Sequence, residues 1–168
     1  MKPAAFFDRD GTLIHDPGYL GDPRQVVLLE GAAASIVQAR RAGYVTIVIS
    51  NQSGVARGFF SSAAVDAVNA RMQELLISVS PEAILDAVYY CPHRDEDHCP
   101  CRKPLPGLFL TAAQEHAIDL AKSFAVGDSQ RDVLAACAAV VPRQRAQLLL
   151  PNSPTQPPAA LTPPLPLQ

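Results

Sequence analysis

Residues 4–12 read AAFFDRDGT: four apolar residues, then Asp8, Arg9 and Asp10, then Gly11. A short apolar run bounded by a turn signal has the length of a buried strand, here 4–8, and the glycine permits a sharp exit from it. Two carboxylates and a guanidinium therefore stand where a strand leaves the core. The same grammar repeats downstream. YVTIVIS at 44–50 is a β-branched run that predicts a second buried strand, and segments 85–90 and 123–127 predict two more. Between them, helical spacing marks 31–42 (closed by Gly43), 61–77 (capped by Ser61 or Ser62), 106–117 and 129–139. This alternation predicts an α/β fold, a Rossmann-like parallel sheet with helices on both faces, because parallel strands need crossover connections.

At 168 residues and 48% hydrophobic content, the chain suits one domain with a real core, expected over 1–141, followed by an atypical segment over 142–168. A net charge of -2 and a pI near 6.0 give no global basic field for nucleic acid or an anionic membrane. Met1-Lys2-Pro3 leads into only about four apolar residues before Asp8, too few for a signal peptide or a membrane span. A cytoplasmic protein is expected, in which four cysteines indicate metal ligation or free thiols rather than disulfides. Nothing resembles a long apolar surface helix, so a monomer is expected.

Ligands on parallel sheets bind at the carboxyl ends of the strands. There the sequence places Asp8-Arg9-Asp10-Gly11-Thr12, Ser50-Asn51-Gln52-Ser53-Gly54, Cys91-Pro92-His93 and Gly127-Asp128-Ser129. Each alone has an ordinary explanation as a turn or helix cap; together they define an edge. Asp8 and Asp10 can approach one cation through a carboxylate and a backbone carbonyl, and Asp128 would complete an oxygen set suited to Mg²⁺. A phosphate ester against that ion would share its charge with Ser50 Oγ, backbone N–H groups and the Lys103 ammonium. At an ordinary carboxylate pKa of roughly 4, Asp8 is expected to be ionised and ready to attack phosphorus. Asp10 would protonate the leaving oxygen and then take a proton from water.

A second constellation is Cys91-x-His93-x5-Cys99-x-Cys101. Three thiolates and an imidazole at such spacings suit a closed, tetrahedral structural Zn²⁺ site, with His98 the competing imidazole. Zinc there would stiffen a loop with no core of its own and hold Arg102 and Lys103 toward the phosphate. Arg102 could grip a second anionic portion of the substrate.

The D-x-D-G-T motif, the serine ending the second strand, Lys103 before Pro104 and Gly127-Asp128-Ser129-x-x-Asp132 together resemble the four motifs of the haloacid dehalogenase superfamily phosphatases. That resemblance implies an aspartyl-phosphate intermediate and Mg²⁺, with Asp8 as nucleophile, Asp10 as acid/base and Asp128 as metal ligand. Asp132 matches a second acid that would orient Lys103 or metal-bound water. About 40 residues separate Asp10 from Ser50 and about 50 separate Ser50 from Lys103, which leaves no room for a cap domain. Selectivity would then fall to the loops at 15–20 and 51–59.

Within the superfamily, CPHRDEDHCPCRKPLPGL with FFDRDGTLIHDPGYL and SNQSGVARGFF is similar to the D-glycero-D-manno-heptose-1,7-bisphosphate 7-phosphatases, over about residues 4–136. Histidinol-phosphate phosphatases share the zinc loop. The heptose group removes the C7 phosphate of a sugar bisphosphate on the route to the ADP-heptose of lipopolysaccharide. The resemblance implies substrate contacts from Asn51, Gln52, Arg57, Arg102 and Lys103. Arg57 has the alternative of a solvated loop charge, and Arg9 is expected to orient its loop rather than react. A non-catalytic zinc-stabilised binding module is the reading from another class.

The family likeness ends after the fourth motif. VVPRQRAQLLLPNSPTQPP lacks the glycine, strand and Thr-Gly-Lys turn expected there, as a shifted reading frame or truncated variant would; AQLLL at 146–150 could still supply a short edge strand. Residues 151–168 hold seven prolines and no charge, from which disorder is expected.

Overall fold

The strand that the opening stretch predicts is the middle one of the sheet. β1 (Ala4–Phe7) lies between β2 (Val45–Asn51) and β4 (Phe124–Gly127), with β3 (Ala87–Cys91) and β5 (Ala146–Leu148) at the edges. The computed structural model describes residues 1–148. All pairings are parallel, in the order β3-β2-β1-β4-β5. The proline-rich stretch 151–168 lies outside the described residues.

Four helices make the crossovers: α1 (Ala32–Arg41), α2 (Ser62–Val79), α3 (Gly107–Glu115) and α4 (Gln130–Ala138). Period-2 alternation along the strands divides the core into two layers. Ala5, Phe7, Val48, Phe124 and Val126 pack with residues of α1 and α2, including Ile36, Val68 and Met72. Ala4, Phe6, Ile47, Ile49 and Ala125 pack on the other face with Phe109, Ala112, Ala135 and Ala136 of α3 and α4. Both faces are therefore covered, as the apolar, β-branched reading of β2 requires. Ser61 is the cap of α2: its Oγ accepts from Ala64 N–H at 3.2 Å.

Among the described residues no domain is inserted between β1 and β2 or between β2 and β3, only helices, short 3₁₀ turns and loops. The carboxyl edge of the sheet is consequently open. The C-terminal segment does pair with the sheet: Ala146, Gln147 and Leu148 register against Ala125, Val126 and Gly127, a three-residue edge strand. No helix among the described residues is long and apolar enough to cross a membrane.

Candidate active site

β1 ends one residue before Asp8, whose N–H donates to the Val126 carbonyl at 2.9 Å. The backbone of Asp8 is thus fixed by β4. Lys103 arrives from the far side of the cysteine loop, and its Nζ donates to Asp8 Oδ1 at 2.8 Å and to the Ile49 carbonyl at 2.7 Å. The same ammonium stands 2.5 Å from Asp132 Oδ1. Asp132 is itself held by the start of α4, accepting from Ser129 N–H at 3.0 Å and Ser129 Oγ at 2.8 Å. Lys103 therefore bridges two carboxylates, one just beyond β1 and one on the first turn of α4.

Burial decides the charge state here. Asp8 is not the ordinary carboxylate that its sequence suggested: loss of hydration pushes it up to about 7 against the pull of Lys103, with Asp132 and Asp10 adding to the rise. Asp128 is raised by the same loss of water and by Asp132. Burial would lower the Lys103 ammonium, but Asp8 and Asp132 outweigh it and raise it. A cation lodged against Asp8 and Asp128 would restore the ionised nucleophile.

The donors fit such a cation. Carboxylate oxygens of Asp8, Asp128 and Asp132 lie within 4.8 Å of one another. Asp132 has both oxygens committed, Oδ1 to Lys103 and Oδ2 to Ser129, whereas Asp8 gives only Oδ1 to Lys103; Asp8 and Asp128 therefore keep oxygens for a cation, a hard set of the kind Mg²⁺ takes. Gly11 makes the approach possible: at φ 77° it turns the loop, and a Cβ there would stand 2.1 Å from Asp128 Oδ2.

The Asp10 carboxylate lies outside this group. It receives the fully buried Arg9, whose Nε and Nη2 donate to its two oxygens at 3.2 and 3.1 Å while Nη1 reaches Asn69 of α2 at 2.9 Å. Gln52 Nε2 donates to Asp10 Oδ2 at 2.6 Å and to Ser50 Oγ at 2.7 Å. Arg9 thus joins its own loop to α2, and Gln52 ties that loop to the end of β2. Asn51 clamps the Lys103 main chain, donating to its carbonyl at 3.1 Å and accepting from its N–H at 3.0 Å.

A cavity of about 470 Å³ opens over these groups. Asp8, Asp10, Asn51, Gln52, Arg102, Lys103 and Asp128 line it; Ser50, 1% exposed, and Arg57, exposed on its loop, do not. Arg131 and Tyr19 are among the lining residues that had no role of their own from sequence. Arg131 sits on the first turn of α4, three residues beyond Asp128, a spacing that could have flagged it. Tyr19 stands in the 15–20 loop, edge-on to Phe59 at 4.8 Å between ring centres, joining the two loops expected to set selectivity. Phe60 packs so closely on Gly21 and Gly54 that a Cβ at either would fall within 2.6 Å of its ring.

Beside the cavity, Cys91, His93, Cys99 and Cys101 converge, with ligand atoms within 4.8 Å of one another. Cys101 Sγ lies 3.1 Å from Cys91 Sγ and 3.3 Å from Cys99 Sγ, and His93 Nδ1 lies 3.4 Å from Cys101 Sγ. His93 supplies the imidazole of this group, to which His98, left-handed at φ 50°, does not belong. Burial pushes the Cys91 thiol up, whereas hydrogen bonds from Cys101 and Cys91 overcome burial at Cys99 and bring it down to about 7. Soft thiolates and one imidazole in tetrahedral number fit zinc.

Strand-end carboxylates with a buried lysine, set on an uncapped parallel sheet, define a phosphomonoesterase of the haloacid dehalogenase type. The chain belongs to the polynucleotide kinase 3 phosphatase family, which it matches over residues 3–140. It is 40% identical over 142 residues to the D-glycero-beta-D-manno-heptose-1,7-bisphosphate 7-phosphatase of Pasteurella multocida (strain Pm70), covering 80% of this chain and 76% of that protein. Its fold is similar to the D,D-heptose 1,7-bisphosphate phosphatase of B. bronchiseptica crystallised with magnesium and phosphate, at 37% identity and a TM-score of 0.75, covering 83% of this chain and 76% of that one. A HAD-like phosphatase from Mesorhizobium loti superposes with a TM-score of 0.78 at 39% identity, over 83% of this chain and 69% of that one.

Proposed function

We propose that this chain hydrolyses the C7 phosphate of D-glycero-D-manno-heptose 1,7-bisphosphate, as a cytoplasmic monomer serving ADP-heptose and lipopolysaccharide synthesis. The observation that carries the reading is the Asp8–Lys103–Asp132 bridge with Asp128 beside it in the lining of an open cavity. The bisphosphate reading draws support from the relatives' names. A small molecule suits the cavity better than a polynucleotide, since a chain of net charge -2 has no basic track for a phosphate backbone.

Asp8 is the nucleophile, attacking phosphorus in line as the sugar oxygen leaves. Asp10, held by Arg9 and Gln52, protonates that oxygen and then accepts a proton from the water that cleaves the aspartyl-phosphate. Lys103 stays charged and neutralises phosphoryl oxygens beside Asp8. Ser50 acts from beneath, through Gln52. Asn51 fixes the Lys103 backbone, Arg102 addresses the second phosphate, and Arg57 is left out of the contacts. Asp8, Asp128 and the Asp10 main chain would hold Mg²⁺, which supplies a Lewis acid for the phosphoryl oxygens and keeps Asp8 ionised. Cys91, His93, Cys99 and Cys101 would hold structural Zn²⁺.

The test is phosphate release from heptose 1,7-bisphosphate beside histidinol phosphate, with and without Mg²⁺. Faster release from the bisphosphate, abolished in Asp8→Asn, is expected. Preference for histidinol phosphate would shift the substrate. Zinc-loaded protein that releases no phosphate from either would make this a binding module.

A further inference from the structure

Arg102 lines the cavity directly after the last cysteine of the loop, yet its guanidinium is held from outside. Nε donates to Asp95 Oδ1 at 2.6 Å, Nη2 to Asp95 Oδ2 at 3.3 Å and Nη1 to the His93 carbonyl at 3.2 Å. Three of the five donors of a guanidinium are thereby spent on the cysteine loop, and the others are left for the cavity. The Arg102 side chain is 10% exposed while that of Asp95 is 67% exposed. The carboxylate thus reaches a nearly buried cation from a surface 3₁₀ turn, Asp95–Asp97. That turn is closed by other groups, Arg94 N–H donating to Asp97 Oδ2 at 2.8 Å.

We propose that Asp95 is a positioning residue: its carboxylate fixes Arg102 at the cavity before the ligand arrives, aimed at the anionic group that is not transferred. This rests on the bisphosphate reading. An arginine side chain left free loses its rotamer freedom when an anion captures it, which weakens binding; one already pinned by a fork of two hydrogen bonds does not. The contact to the His93 carbonyl adds that the loop delivers Arg102 in its folded form. Asp95 touches no substrate, so its effect must pass through Arg102.

A double-mutant cycle tests this on the full chain, with KM and kcat measured on heptose 1,7-bisphosphate for wild type, Asp95→Ala, Arg102→Ala and the double variant. Asp95→Ala is expected to raise KM about three- to tenfold with kcat little changed. Asp95→Glu should recover part of the loss. In the Arg102→Ala background the Asp95 change should have no further effect, and bound zinc should be unaltered in Asp95→Ala. A ligand-free readout is the Arg102 Nε–H resonance, slow to exchange in the wild type and fast in Asp95→Ala. Additive effects in the cycle, an unchanged or lower KM, or an Nε–H that exchanges equally fast in both would overturn the proposal. Absence of bisphosphate turnover by the wild type would count against the function itself, whereas turnover without an Asp95 effect would count against Asp95 alone.

Discussion

The sheet carries an ionic cluster at each end, and the two differ in almost everything but distance. At the carboxyl end Lys103 bridges Asp8 at 2.8 Å and Asp132 at 2.5 Å, with side chains between 3% and 12% exposed. At the amino end Arg40 pairs with Asp86 at 2.8 Å and Arg41 with Glu82 at 2.5 Å, with side chains between 30% and 67% exposed. The carboxylates respond in opposite directions. Loss of water raises Asp8, whereas at Asp86 the smaller loss is overcome by hydrogen bonds from Thr46 and Arg40 and the carboxyl is lowered. The amino end stabilises the fold at neutral pH; the carboxyl end stores unfavourable charge that a ligand or cation can relieve, which is what a reactive site requires.

The harshest way to break the contrast is to remove the buried cation. Lys103→Met leaves Asp8 and Asp132 facing each other without hydration, and metal-free protein should lose about 3–5 kcal/mol of unfolding free energy. Activity should be lost as well. Urea denaturation at pH 7 measures the first; an unchanged midpoint would mean that water reaches these groups more freely than their burial indicates. Next in size is the loop that delivers Lys103. Stripping zinc with a chelator, or Cys101→Ser, should cost about 2–3 kcal/mol, because a loop with no apolar core relies on its metal. Thermal melts with and without chelator decide this, and no shift would show that the four ligands hold no ion.

A smaller effect separates the ends by pH. In metal-free protein the folded-state pKa of Asp8, about 7, lies above its ordinary value of 3.8. The native state therefore keeps a proton that the unfolded chain has released, and stability falls as pH rises from about 4 to 7. Asp86 is lowered, so its contribution is complete above its ordinary value and lost only as pH falls further. Between pH 5 and 7, wild-type Tm should fall relative to Asp8→Asn, while Asp86→Asn should leave that slope unchanged. Equal slopes in wild type and Asp8→Asn would refute the raised Asp8.

This asymmetry also sorts what the sequence made legible. Strand and helix bounds were readable to within a residue or two, because a β-branched run such as 45–51 and the Ser61 cap carry local signals. The metal-capable thiol set was readable for the same reason, its ligands being neighbours in one loop; only the choice of His93 over His98 waited on the backbone turn at His98. Side-chain partnerships across loops were not readable. Nothing local says that the Arg9 guanidinium is wholly buried against Asn69, that Asn51 spends its amide on the Lys103 main chain, or that Asp8 is dehydrated enough to titrate near neutrality. Each depends on which loop arrives opposite, and the sheet order settles that only after folding.

The smallest effect is the most pointed control. Glu82 meets Arg41 through two hydrogen bonds, at 2.9 and 2.5 Å, a bidentate geometry as close as that between Lys103 and Asp132. If proximity alone set the strength of an ion pair, Glu82→Gln would destabilise the protein as strongly as losing the buried bridge. With both side chains more than half exposed, water already solvates each charge, and the order imposed on two long side chains offsets the attraction. Glu82→Gln should leave Tm unchanged within experimental error at low and high salt. A clear drop at low salt that vanishes at high salt would show the amino end to be more strongly coupled than its exposure allows, and would narrow the difference between the two ends to one of degree.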